Sequence, residues 1–163
     1  MSDMFNAIEY LEKIAKANSL AKKHEFIVGE CSGIEGLEPL MQSYRKAANY
    51  IMVDDTVDGS MISNRVGWYN RRTYTVFIFA MYREDDMDDR RQKLDLCREI
   101  FRQLLSHLIA DTEKYEYDLV YMRTQSIQYR ELNSYNFSGV TGLYFMLNVD
   151  EPADLQFDAS LWD

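Results

Sequence analysis

The 163-residue chain carries 27 acidic against 18 basic side chains, a net charge of −9, with 47% hydrophobic and 13% aromatic residues. Seven glycines and two prolines exclude collagen-like and low-complexity chains, and the acidity weighs against a general nucleic-acid binder, which needs a basic footprint. This length and content predict one domain that fills its interior without metal or disulfide support.

Over residues 3–23, Met4, Ile8, Leu11 and Ala15 recur at the spacing of one helical stripe, with Glu9, Glu12, Lys13 and Lys16 toward water. Ser2 or Asp3 can cap this helix, and Lys22, Lys23 and His24 suit its carboxyl end. The same charges interrupt the apolar pattern, so residues 1–24 do not read as a secretory signal, and the product is expected in the cytosol. Phe26, Ile27 and Val28 form a short β-like run stopping at Gly29, followed by a loop over 31–36 and a short second helix over 39–48.

Residues 50–57 read as a strand ending at Asp58-Gly59, a pair suited to a tight hairpin turn, with the partner strand beginning at Met61. Residues 74–82 are β-branched and aromatic on both alternating faces, as in a central strand covered on both sides. The longest uncharged apolar stretch, 73–82, is about half of what a membrane-spanning helix needs. Five acids in residues 84–89 mark the start of a helix over 88–109, with Leu94, Cys97, Phe101, Leu104, Leu105 and Leu108 in its periodic pattern. Two alternating runs, 119–132 and 140–149, then form a hairpin across the loop 133–139.

This order predicts an α+β fold, a mostly antiparallel sheet packed by two helices on one face. Residues 1–149 form the domain, and residues 150–163 an acidic arm that also carries apolar groups. Asp150, Glu151, Asp154, Asp158 and Asp163 supply more than half of the net charge there, with Leu155, Phe157, Leu161 and Trp162 interspersed. Four such groups left in water forfeit about 1.5–3 kcal/mol of burial each. The arm therefore either folds back on its own sheet or docks on a neighbouring subunit.

No catalytic, cofactor or metal site is expected. Cys31 and Cys97 share no CxxC or nearby histidine, and read as free structural thiols. The run beginning at Asp54 fails as a calcium loop because Thr56 and Arg65 stand at its third and twelfth positions. Of the two histidines, His24 and His107, the latter has no sequence signal setting Ser106, Asp111 or Cys97 against it. Phosphate-binding glycine loops and a GxSxG elbow are absent. Arg65, Trp68, Tyr69, Arg71, Arg72 and Tyr74 interleave cations with rings, a pattern that can hold nucleic acid. The −9 charge favours a protein interface instead, with the arginines meeting carboxylates of another subunit.

Asp118-Leu-Val-Tyr-Met-Arg through Asn136-Phe-Ser-Gly-Val-Thr-Gly-Leu-Tyr-Phe-Met-Leu-Asn-Val149, followed by an acidic aromatic tail, resembles the closing strands of small prophage-encoded tail proteins. The preceding layout, an amphipathic helix, meandering strands and one long helix, looks like that of the tail terminator, or tail completion, proteins of long-tailed bacteriophages. The resemblance implies a non-enzymatic subunit that forms a ring, commonly a hexamer, at the head-tail junction, joined to other tail and head proteins and present in the virion. DNA would at most pass through the lumen, and an acidic lumen suits that passage because it offers phosphates few cations. Closed rings need two different patches that fit each other. Arg65, Trp68, Tyr69, Arg71 and Arg72 on one side and Leu155, Phe157, Leu161 and Trp162 on the other are the candidates. The other readings are an intracellular adaptor or regulatory binding module of the same fold class, and a hydrolase using clustered carboxylates.

Overall fold

Asn6 opens the first helix: its side chain accepts a hydrogen bond from the Glu9 amide at 3.1 Å, satisfying one of the donors that a helix start leaves free. The structure is a computed structural model and describes residues 6–33, 49–114, 122–132 and 139–163. Helix α1 spans Ala7–Ala17 and helix α2 Ser19–Lys23, so the continuous helix expected to Lys23 is split at Asn18. The Asn18 side chain accepts from the Ala21 amide at 2.8 Å and donates to Gln103 at 2.9 Å. A side chain that competes for local amides favours a cap over a helix interior, which accounts for the break. The buried stripe of α1 is Ala7, Tyr10, Leu11, Ile14 and Ala15, with Ile8 at its margin. Met4 and the caps expected at Ser2 or Asp3 lie outside the described residues, as does the helix expected over 39–48.

Strands β1 (Phe26–Cys31), β2 (Asn49–Asp54), β3 (Asp58–Asn64), β4 (Gly67–Met81), β5 (Met122–Glu131) and β6 (Val140–Ala153) form one sheet. Its order is β1-β2-β4-β6-β5, with β3 paired to β4 beside β2. Only β1 and β2 run parallel among the described pairs, so the fold is α+β with a mostly antiparallel sheet. Gly29 does not end β1; it pairs with Met52 inside the strand.

The expected hairpin at Asp58-Gly59 is not formed. Asp54 turns the chain earlier, its Oδ1 accepting from the Thr56 amide at 3.0 Å, the Thr56 hydroxyl at 2.8 Å and the Gly33 amide at 3.1 Å. Asp58 and Gly59 therefore enter β3 opposite Thr73 and Arg72. The hairpin turn falls at residues 64–67, where Asn64 Oδ1 accepts from the Val66 and Gly67 amides, both at 2.9 Å. Asparagine suits this role because its side chain mimics a backbone turn.

β4 is central and covered on both faces where the alternating pattern required it. Tyr74, Val76, Ile78 and Ala80 join the main core with α1, α2, the long helix α3 (Met87–Glu113) and alternate residues of β2 and β6. Phe77 and Phe79 pack on the opposite face with Tyr50, Met52, Leu132 and Val140. Phe101 of α3 lies against Phe145 and Tyr129, with ring centroids 5.0 and 5.1 Å apart. The acidic run does start α3: Asp86 accepts from the Asp89 amide at 3.0 Å. The Asp89 carboxylate accepts the Arg83 amide at 2.8 Å, a bond that holds its pKa below the usual aspartate value. Cys31 and Cys97 are buried free thiols, both pushed up to about 12 by burial.

Gly142 on β6 faces Phe79 across the ladder at φ 144°, and a Cβ there would be driven into the Ile78 carbonyl. Backbone cannot give way as a side-chain tip can. Gly142→Ala should therefore cost about 3 kcal/mol, lowering the thermal midpoint by roughly 6–12 °C. Differential scanning calorimetry checks this.

Candidate assembly surface

The apolar core includes no residue of β4 before Tyr74, none of β6 after Val149 and none of β3, among the described residues. Beyond that line β3, residues 67–73 of β4 and residues 150–153 of β6 continue as a three-stranded extension, on the order of 20 Å long at the usual rise per strand residue. The acidic stretch thus begins as strand, since β6 continues through Ala153.

A charged clamp secures the extension. Asp150 accepts from Arg71 Nε at 2.8 Å and Nη2 at 3.0 Å, and from Arg123 Nε at 2.7 Å. Three charge-assisted bonds on one carboxylate join β4, β6 and β5. The Arg71 bonds, then those from Arg123, hold the Asp150 pKa below the ordinary 3.8 despite opposing desolvation. Arg71, expected to meet a carboxylate of another subunit, is neutralised within its own chain. Its guanidinium also lies 5.9 Å from the Tyr69 ring centroid.

The remaining candidates divide cleanly. Tyr69 and Arg72 are half-buried in the extension, and Arg72 hydrogen-bonds Tyr74, opposing the upward shift that burial gives the phenol. Arg65 and Val66 form the exposed hairpin turn, and Trp68 is exposed beside it. Ala153 pairs with Trp68, so the arm leaves the sheet at the base of that turn.

The arm does not fold back on its own sheet. Leu155, Phe157, Leu161 and Trp162 are 50%, 74%, 77% and 71% exposed. It nevertheless has shape: Asp154 accepts the Gln156 amide at 3.0 Å, and Asp158 accepts the Ser160 amide at 2.9 Å and hydroxyl at 2.7 Å. A single 3-10 turn follows over Ala159–Leu161, and the Phe157 and Trp162 rings stack at 6.4 Å and 18°. Of the ten large apolar residues exposed among the described ones, seven lie on this arm or on the β3–β4 hairpin, Met61 included. The two patches inferred from sequence are therefore neighbours at one end of the sheet.

Elsewhere, polar groupings serve the fold. Asp111 Oδ2 accepts from Tyr10 at 2.6 Å and stands 2.8 Å from His107 Nδ1, bracing α1 against α3. The His107–Asp111 contact went unread in the sequence, although i, i+4 spacing on one helix could have indicated it, whereas the partners of Asp150 lie 79 and 27 residues away and left no local signal. An open cleft of about 430 Å³ is bordered by Met81, Tyr82, Arg83, Asp89 and Lys93. Its carboxylate, Asp89, is engaged by Arg83. Among the described residues, no group of three or more His, Cys, Asp and Glu is arranged to hold a metal ion, and no helix is long and apolar enough to cross a membrane.

Removing the charge of Asp150 deprives two arginines of their counter-charge and leaves one side-chain oxygen where they used two. Asp150→Asn should destabilise the chain by about 2 kcal/mol at pH 7. Because the folded pKa is depressed, the clamp contributes fully above about pH 4 and its contribution is lost as pH falls through the folded value. The gap in urea-unfolding free energy between wild type and Asp150→Asn should narrow from pH 5 to pH 2, and a gap constant across that range would exclude the clamp.

Compared with known proteins, the chain matches no family model and no curated protein sequence.

Proposed function

We propose that this chain is a non-enzymatic structural subunit of the tail terminator or tail completion kind, assembling through the free end of its sheet into a ring at a phage head-tail junction. The carrying observation is the concentration of exposed apolar side chains on the β3–β4 hairpin and the arm. Exposed apolar side chains gathered at one end of a sheet are the kind of surface that contacts another macromolecule. The extension that bears it is held rigid by the Asp150 clamp. In this reading the chain accumulates in the cytoplasm and ends in the virion, with other tail and head proteins as neighbours and DNA only passing through the lumen. The chain's −9 charge suits such a passage, since a weakly cationic channel does not retain phosphates.

The same exposed end supports an adaptor that binds a host protein. That reading differs in mass, giving a monomer or dimer of this chain in place of a ring.

Sedimentation velocity and negative-stain microscopy of the purified chain test the assignment. Rings with a central hole are expected. Replacing Val66 and Trp68 together by serine should lower the assembled mass, while the thermal midpoint shifts by no more than about 2 °C, since both side chains already face solvent. Uniform monomers or dimers of wild type would replace the ring with the adaptor.

A further inference from the structure

We propose that the arm, residues 154–163, docks in trans on the open β3 edge and apolar tip of the β3–β4 hairpin of a second copy of this chain. This rests on the assembly reading above and specifies its contact.

The arm has the features of a ligand segment. Asp154 and Asp158 set its turns, and the Phe157 and Trp162 rings are stacked. Leu155 and Phe157 alternate with Asp154, Gln156 and Asp158, the period of a strand with one apolar face. Trp162 lies nine positions beyond Ala153, within reach of up to about 30 Å if the arm extends on docking.

The hairpin has the features of a receptor. Among the described residues β3 pairs with β4 alone, and its outer row of backbone donors and acceptors has no strand partner among them. From Gly59 to Asn64 it carries no charge and no proline, the devices that normally protect an edge from strand addition. Adding an extended segment to such an edge is an established mode of peptide recognition. Met61, Val66 and Trp68 supply exposed apolar contacts beside that edge. The charges also match. The arm holds three aspartates and no cation, and Arg65 stands exposed at the hairpin tip, while Arg71 is already occupied by Asp150.

The test uses the full-length chain in two differently tagged copies, one carrying Leu161→Cys and the other Val66→Cys, mixed and oxidised. Both natural thiols are buried and do not compete. A disulfide joining the two tags is expected. Hydrogen exchange at the β3 amides should be slowed by at least about tenfold in the assembly relative to a Phe157→Ser/Trp162→Ser variant, as edge pairing requires. A disulfide formed only within single chains of the Leu161→Cys/Val66→Cys double variant would overturn the proposal in favour of docking in cis. Absence of the mixed disulfide, with wild-type mass retained by Phe157→Ser/Trp162→Ser, would overturn it and leave the assembly reading standing. Wild-type chains monomeric at every concentration would remove both.

Discussion

The antiparallel ladder between β4 and β6 is the constraint on which the rest of the molecule depends. It runs from Met81 opposite Val140 to Trp68 opposite Ala153, longer than the helices that pack on it. One half is apolar on both faces and forms the core. The other half contributes nothing to the apolar core among the described residues and is held by side-chain charge. This division follows from composition: Val76–Ala80 and Leu143–Leu147 supply the groups that burial rewards, whereas Arg71, Arg72, Asp150 and Glu151 must be paired or solvated. A strand that continues past its core needs another source of order, and the Asp150 carboxylate provides it by joining three strands at one point.

That arrangement fixes what the far end of the sheet can do. An extension held only by backbone hydrogen bonds would twist and fray, and apolar groups on it would present no fixed surface. With Arg71 and Arg123 on Asp150, the hairpin turn and the root of the arm keep a defined relation to the core. The neutralisation matters as much as the geometry. Arg71 is withdrawn from intermolecular pairing, so the exposed end presents one cation at its tip, apolar side chains around it and a strand edge uncharged from Gly59 to Asn64.

Periodicity read from the sequence located the elements that local pattern determines. The long helix and its acidic start, the central strand and the final hairpin all follow from spacing that a single segment carries. Failures occurred where one side chain decided between two permitted conformations. Asn18 broke a helix whose apolar stripe continued, and Asp54 made the turn that Asp58-Gly59 was suited to make. Both are short polar residues that compete for backbone amides, so their neighbours' pattern gives no warning. For the site, exposure of the arm followed from its composition only as one of two outcomes. The clamp could not be read at all, because its members are brought together by strand order.

Position along β6 divides the labour of the acidic residues. Asp150 and Glu151 lie in the strand and are buried, and the Asp150 charge is met there by Arg71 and Arg123. Asp154 and Asp158 lie past its end, where each bonds an amide two residues ahead and bends the chain. The residues that make the arm acidic are therefore also those that shape it, and replacing them by neutral residues without an acceptor oxygen would remove charge and conformation together. Phe157 and Trp162 depend on that bend to stack, since an extended chain would hold them too far apart. Charge in this segment serves to present its aromatic groups, which is why acidic and apolar residues alternate where a purely solvated tail would carry only the former.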